Sequence, residues 1–275
     1  MKKGFRIALT AAGALAGAWG LALIPRRGQG GWAGLGGVRF AHRGLYDIKE
    51  GVPENSLSAF RRAVEMGFGA ELDVHLMADG NLAVVHDSNL KRVCGVDVII
   101  EDLTQEDLKR YPLLGSDETI PLFEQVLDIF ENRKPLVVEL KVARGNANAL
   151  TDAVMKRLQD WNGNYLVESF HPGVLLRLKE KYPRVVRGQL SQDFLTDDHT
   201  GLGLPADFAM TYLLTTFLTR PDFIAYRYAD RGNLSLRLMK KLYGVHEVNW
   251  TIQDREAMER VEKEGVTVIF ENFIP

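Results

Sequence analysis

Nine short apolar runs, most of them separated by segments of helical pattern, constrain this chain more than any other feature. The runs fall at 39 to 42, 70 to 74, just before His86, 136 to 140, 165 to 168, 185 to 189, 222 to 226, 247 to 251 and 266 to 270. Helical periodicity fills most of the gaps, with Ser56 as the cap of a segment to Met66 and further segments at 120 to 133, 147 to 159, 173 to 181, 234 to 242 and 254 to 264. Such alternation is the pattern of parallel α/β proteins. If the run before His86 folds back on the second run as a hairpin, eight strands remain, the number that closes a TIM (β/α)8 barrel. The less regular stretch from 87 to 120 then becomes an insertion after the second strand with an acid-rich, solvated face, in which Thr104 and Asp107 have the spacing of a capping box.

Polar residues interrupt the pattern chiefly between 38 and 87. His42-Arg43-Gly44 ends the first run, Pro53-Glu54-Asn55-Ser56 opens the first helix, Glu71-Leu72-Asp73-Val74 forms the second run, and Val84-Val85-His86-Asp87 ends the third. Side chains alternate along a strand, so Glu71 and Asp73 project from one face while Leu72 points the other way. Two carboxylates on one face repel each other. A bound cation is the usual remedy, and oxygen-only ligands suit Ca²⁺ or Mg²⁺ better than zinc. Glu139 and Lys141 share a face in the same manner around Leu140. Ala78-Asp79-Gly80-Asn81 has turn chemistry. A two-residue turn there pairs Ala78 with Asn81 and, counting back along both strands, Asp73 with His86, which sets a proton-transfer group beside a candidate ligand.

These motifs, joined by Gly69-Ala70, Asp79-Gly80 and the later Val138-Glu139-Leu140-Lys141, resemble in order and spacing the glycerophosphodiester phosphodiesterase family of the PLC-like phosphodiesterase superfamily. The resemblance covers roughly residues 38 to 275 and is dense up to 141. It implies that Glu71, Asp73 and Glu139 bind a divalent cation, Ca²⁺ or Mg²⁺. It also implies that His42 and His86 form an acid/base pair, one deprotonating the attacking hydroxyl or water and the other protonating the leaving alkoxide. Arg43 and Lys141 would clamp phosphate, Glu54 and Asn55 would support the ligands or hold the His42 loop, and Asp87 would orient His86. Phe170 and Trp250 match positions that line the family's pocket. Single histidines and aromatics are more often core residues; the acid cluster beside two histidines favours the functional reading here. The family usually carries Thr-Asp after its last strand, where this chain has Glu271-Asn272, and Met77 replaces a common threonine.

The implied reaction is metal-dependent hydrolysis of a glycerophosphodiester to glycerol 3-phosphate and an alcohol. Two alternatives stand beside it: lysophospholipase D-type hydrolysis of membrane glycerophospholipids, and a non-catalytic, membrane-tethered barrel that binds lipid or an anion.

At the N-terminus, Lys2, Lys3 and Arg6 precede an uncharged run from Ile7 to Ile24, followed by Pro25-Arg26-Arg27. As a helix that run spans about 27 Å, against a hydrocarbon core of about 30 Å. Its length favours a signal anchor, while Ala16-Gly17-Ala18 offers the cleavage site of a signal peptide. The expected organisation is therefore an anchor or signal over 1–27, a flexible glycine-rich linker over 28–37 and the barrel over 38–275, with the chain held at a membrane or secreted if cut. The apolar stretch from 208 to 221 reads as a core-facing helix, with a lipid-touching barrel rim as the alternative. A net charge of −2 marks no nucleic-acid partner. Cys94, the only cysteine, forms no intramolecular disulfide and reads as a small filler.

Overall fold

The computed structural model describes residues 17–26, 32, 35, 37–196 and 198–275. Its strands are β1 (Arg39–Ala41), β2 (Gly69–Leu76), β3 (Leu82–Val84), β4 (Leu136–Leu140), β5 (Tyr165–Ser169), β6 (Arg187–Ser191), β7 (Phe223–Arg227), β8 (His246–Ile252) and β9 (Thr267–Phe270). All nine lie where the apolar runs predict them, within a residue or two. Neighbours follow the order β1-β9-β8-β7-β6-β5-β4-β2, and β1 pairs back onto β2, so eight parallel strands close into a barrel while β3 lies antiparallel on β2. Helices over Leu57–Glu65, Phe123–Phe130, Ala147–Leu158, Pro172–Lys181, Leu234–Tyr243 and Arg255–Lys263 surround it. Ser56 caps the first of these, its Oγ accepting from the Ala59 amide at 3.2 Å.

Strand alternation divides the packing into two compartments. Leu72, Val74, Val138 and Leu140 point outward into the strand–helix core. Phe40, Val137, Leu166, Phe223, Val248 and Ile269 point inward and fill the lower half of the barrel. Two residues further along five of these strands, the inward positions become His42, Glu139, Glu168, Trp250 and Glu271, with Ala225 on β7, so a mostly polar layer sits on an apolar plug.

Several expectations need correction. The hairpin pairs Val74 with Val84 and Leu76 with Leu82, one residue off the two-residue-turn register. Met77 instead closes on Asn81 across a three-residue loop in which Gly80 takes φ +82°, the turn-plus-bulge geometry that a glycine at that position allows. Asp73 thus faces Val85, whose amide donates to the Asp73 carbonyl at 3.1 Å. The insertion is more than a solvated face: Val85, Leu90, Val93, Ile100, Leu108 and Ile120 form a core of their own. Only half of its capping box forms: the Thr104 amide and hydroxyl both donate to Asp107, while the Asp107 amide donates to the Thr104 carbonyl rather than to the hydroxyl. Cys94 is half-buried, which pushes its thiol up to about 11 and suits a filler role.

Of the glycine-rich segment, Trp32 and Leu35 are described, and both pack under the barrel floor, Trp32 stacked on His246 at 4.4 Å; this part is docked rather than free. Most of the expected anchor, residues 1 to 16, lies outside the described residues. Residues 17 to 22 are helical and packed against the barrel, and among the described residues no helix is long and apolar enough to cross a membrane. The stretch from 208 to 221 is half core, half surface: Leu213, Thr216 and Thr219 are buried, whereas Phe208, Phe217 and Leu218 are exposed.

Candidate active site

Parallel register builds the site. Ala41 pairs with Ala70 and with Phe270, so the next residues, His42, Glu71 and Glu271, come together at the strand ends. Asp73 pairs with Glu139, and Glu139 with Glu168, which puts three acids side by side across β2, β4 and β5. The resulting cleft, about 600 Å³, opens at the C-terminal ends of the strands.

Glu71, Asp73 and Glu139 are all buried, and each offers an oxygen within 4.8 Å of the other two. Burial, then the charges of Asp73 and Glu139, push the Glu71 carboxyl well above its usual range. Burial also raises Glu139. For Asp73 burial acts in the same direction, but Lys141, His86 and Arg43 overcome it and hold the carboxyl well below its ordinary value. Lys141 Nζ lies 2.9 Å from Asp73 and 2.8 Å from Glu139. With the Arg43 guanidinium 3.5 Å from Asp73, two fixed positive charges face three carboxylates and the neighbouring Glu168, which leaves the cluster short of positive charge. An all-carboxylate donor set with that deficit fits a hard divalent cation.

Both histidines sit at the rim of this cluster, each held by a carboxylate at Nδ1. His42 Nδ1 meets Glu271 Oε2 at 2.6 Å, and its Nε2 lies 3.8 Å from Glu71. His86 Nδ1 meets Asp87 Oδ1 at 2.7 Å. Burial lowers the His86 pKa, aided by Lys141 and Arg43 and opposed by Asp73. A carboxylate at Nδ1 selects the tautomer that carries its proton there and leaves Nε2 free to exchange one.

Arg43 ties the loop together. Its amide donates to Glu71 at 3.1 Å, its carbonyl accepts from the Asn55 amide at 2.8 Å, and its guanidinium pairs with Glu54 at 2.9 Å. Asn55 Nδ2 donates to Asp73 at 2.9 Å. Gly44 makes the turn possible: its φ is +79°, and a Cβ there would lie 2.8 Å from the Ala59 Cβ. Gly44→Ala should therefore lose about 2 kcal/mol or more through strain and contact, read as a lower denaturant midpoint at unchanged m-value.

A profile of the Glycerophosphoryl diester phosphodiesterase family matches residues 42–275. The chain belongs to this family. It is 29% identical over 238 residues to a glycerophosphodiester phosphodiesterase of Caldanaerobacter subterraneus subsp. tengcongensis, covering 82% of this chain and 90% of that one. A human lysophospholipase D, GDPD1, is 35% identical over 126 residues, 41% of this chain and 39% of its own length. Among solved structures, an Oleispira antarctica phosphodiesterase in complex with the product sn-glycerol-3-phosphate superposes with a TM-score of 0.70 at 21% identity, over 86% of this chain and 93% of that chain. A Thermotoga maritima glycerophosphodiester phosphodiesterase gives 0.63 at 26% identity, over 85% and 93%. The protein is thus a phosphodiesterase, which sets aside the non-catalytic barrel.

The phosphodiesterase fold brings every expected site residue to this one end of the barrel. Asp87 bonds His86, and Glu54 bridges Arg43 to Arg92. Phe170 and Trp250 stand edge to face at 5.7 Å and, with Phe194, form an aromatic wall of the cleft. Four participants were not foreseen. Glu271 orients His42. Arg92 joins Asp87 at 2.5 Å and Glu54 at 2.7 Å. Glu168 lines the cleft, its carboxyl raised well above the usual range by burial and by Glu139. His75 joins Glu101 at 2.6 Å and the His86 carbonyl at 3.2 Å, bracing the loop that carries His86. Glu271 and Glu168 could have been found, since each ends an apolar run as the expected ligands do.

Proposed function

We propose that this phosphodiesterase hydrolyses glycerophosphodiesters to glycerol 3-phosphate and an alcohol with His42 and His86 as its proton-transfer pair. The pair of Nδ1–carboxylate contacts carries this reading: His42 on Glu271 and His86 on Asp87 are two independently oriented imidazoles on one acidic cleft. Glu71, Asp73 and Glu139 would hold Ca²⁺ or Mg²⁺, which when bound supplies positive charge to the phosphoryl oxygens. Arg43 and Lys141 add fixed charge on the same side, and their ion pairs with the acids keep them in place in the meantime. One histidine takes a proton from the attacking hydroxyl or water, and the other returns one to the leaving alkoxide. The aromatic wall, with the likeness to a relative named lysophospholipase D, supports lysophospholipids as a second substrate group. In this reading the N-terminal apolar run holds the chain at a membrane.

The test is product analysis on the full chain with glycerophosphocholine, glycerophosphoethanolamine, glycerophosphoglycerol and lysophosphatidylcholine, each with Ca²⁺, Mg²⁺ or chelator. The full chain matters because Trp19, Leu23, Trp32 and Leu35 belong to the packed domain. Metal-dependent release of glycerol 3-phosphate from a soluble diester is the expected result. Silence on every diester from a folded, metal-binding protein would overturn it.

A further inference from the structure

One acid of the cleft has no partner. Glu168, on β5, is 1% exposed and lines the cleft; among the described residues it makes no hydrogen bond or ion pair, and its Oε2 is shut off from solvent. Its neighbours are engaged elsewhere. Lys141 pairs with Asp73 and with Glu139, the residue in register with Glu168, and Arg43 pairs with Glu54 and Asp73. Glu71, Asp73 and Glu139 form the group whose oxygens come within 4.8 Å of one another, and Glu168 stands one strand beyond it. A buried polar group without a partner costs free energy, the more so beside another acid. Such a position is completed by a bound molecule.

A second orphan belongs to the same cleft. Trp250 Nε1 is buried without a hydrogen-bond partner, and Trp250 also lines the cleft. Phe170 connects the two: it comes two positions after Glu168, and its ring meets Trp250 edge on at 5.7 Å. Leu190 and Ile269 add apolar lining. This end of the cleft therefore offers an acceptor, a donor and an apolar surface for a short carbon chain.

That combination narrows the occupant. An ammonium would satisfy Glu168 and leave the indole N–H alone, and a second phosphate would be repelled by the acid. A hydroxyl both donates and accepts, and a carboxyl oxygen accepts from it in either protonation state. We infer that Glu168 is a specificity-determining residue that accepts a hydrogen bond from a hydroxyl of the substrate's glycerol arm, whose carbons rest on Phe170 while the Trp250 N–H donates to a hydroxyl oxygen. The role rests on the glycerophosphodiester reading proposed above, in which the phosphate lies at Arg43, Lys141 and the acid triad. A site built to bond a hydroxyl rejects an analogue that lacks it, because its own buried group then stays unpaired.

The test is calorimetric binding of glycerol 3-phosphate, propyl phosphate and phosphoethanolamine to the full chain, in saturating Ca²⁺ and in saturating Mg²⁺, for wild type, Glu168→Gln and Glu168→Leu. Both variants remove a buried carboxyl from beside Glu139, so both should melt at or above the wild-type temperature. Wild type should bind glycerol 3-phosphate about tenfold or more tighter than propyl phosphate, the cost of leaving a buried acceptor unpaired. Glu168→Leu should lose most of that ratio by weakening glycerol 3-phosphate alone, and Glu168→Gln, which keeps an oxygen acceptor, should lose less. No preference in wild type, an unchanged ratio in Glu168→Leu, equal weakening of both ligands, or a loss confined to phosphoethanolamine would each overturn the assignment. A preference that depends on Glu168, without release of glycerol 3-phosphate from any diester, would overturn the proposed reaction and leave the role of Glu168 standing. Turnover of diesters by Glu168→Leu with the wild-type preference would do the reverse.

Discussion

Alanine at His42 or at His86 is expected to lower kcat by about 10² to 10⁴ on a glycerophosphodiester while the protein stays folded. In the proposed mechanism each imidazole would exchange its proton through Nε2 only while a carboxylate holds Nδ1, so the two oriented rings should contribute separately. His42→Ala also leaves Glu271 in a half-buried place with Tyr46 and Gln253 as its remaining partners. Burial opposes ionisation of Glu271, yet the bond and charge of His42, with those two neighbours, keep its carboxyl down at about 2. Glu271→Gln retains an acceptor without the charge, so its loss of kcat should be smaller than that of His42→Ala at similar KM. A substrate with an activated leaving group separates the pair: it should rescue the variant lacking the general acid and not the one lacking the base. Full activity in both alanine variants, with melting curves like wild type, would remove the two-histidine mechanism.

Much of this site was legible in the sequence because strand ends and strand alternation are local properties. Glu71 and Asp73 share a face by spacing alone, and the barrel count sets β1, β2 and β4 side by side. What stayed hidden depends on register and closure. The His86 placement relied on a two-residue turn, and the loop around Gly80 shifts that ladder by one position. His86 reaches the cluster all the same, because β3 stops at Val84 and the chain turns over the strand ends. Glu271 marks itself as a strand-end acid, but its partner His42 became visible only once the barrel closed, since β9 meets β1 across 229 residues of sequence. Arg92 comes from the irregular insertion, where neither period nor motif marks a position. The apolar run at the N-terminus shows another such gap at its described end. Trp19 and Leu23 pack into the wall of the barrel in a hydrophobic groove that no local pattern announces.

Removing divalent cations should abolish turnover, by about 10³-fold or more given the several kcal/mol a cation supplies at phosphoryl oxygen, and should also reshape stability against pH. Metal-free, Glu71 and Glu139 have folded pKa values above the ordinary 4.5, since burial and mutual repulsion disfavour their charged forms. The folded state then binds protons that the unfolded chain has released. Their contribution is therefore full below pH 4.5 and is lost as pH rises through the raised folded values. Asp73 acts in the opposite sense: held well below its ordinary 3.8, it contributes above that value and loses it only as pH falls through its lower folded one. In chelator, the part of the stability curve governed by Glu71 and Glu139 should thus decline above pH 4.5. A saturating cation should reverse this, because it binds the deprotonated triad and adds about 2.7 kcal/mol at a hundredfold excess over Kd, or about 5 to 11 °C in Tm. Glu71→Gln should lose both the decline it causes and most of the cation's stabilisation, which separates binding at the triad from general salt effects. A Tm indifferent to Ca²⁺ and Mg²⁺ at every pH, together with turnover that survives chelation, would mean that Lys141 and Arg43 alone balance the three carboxylates.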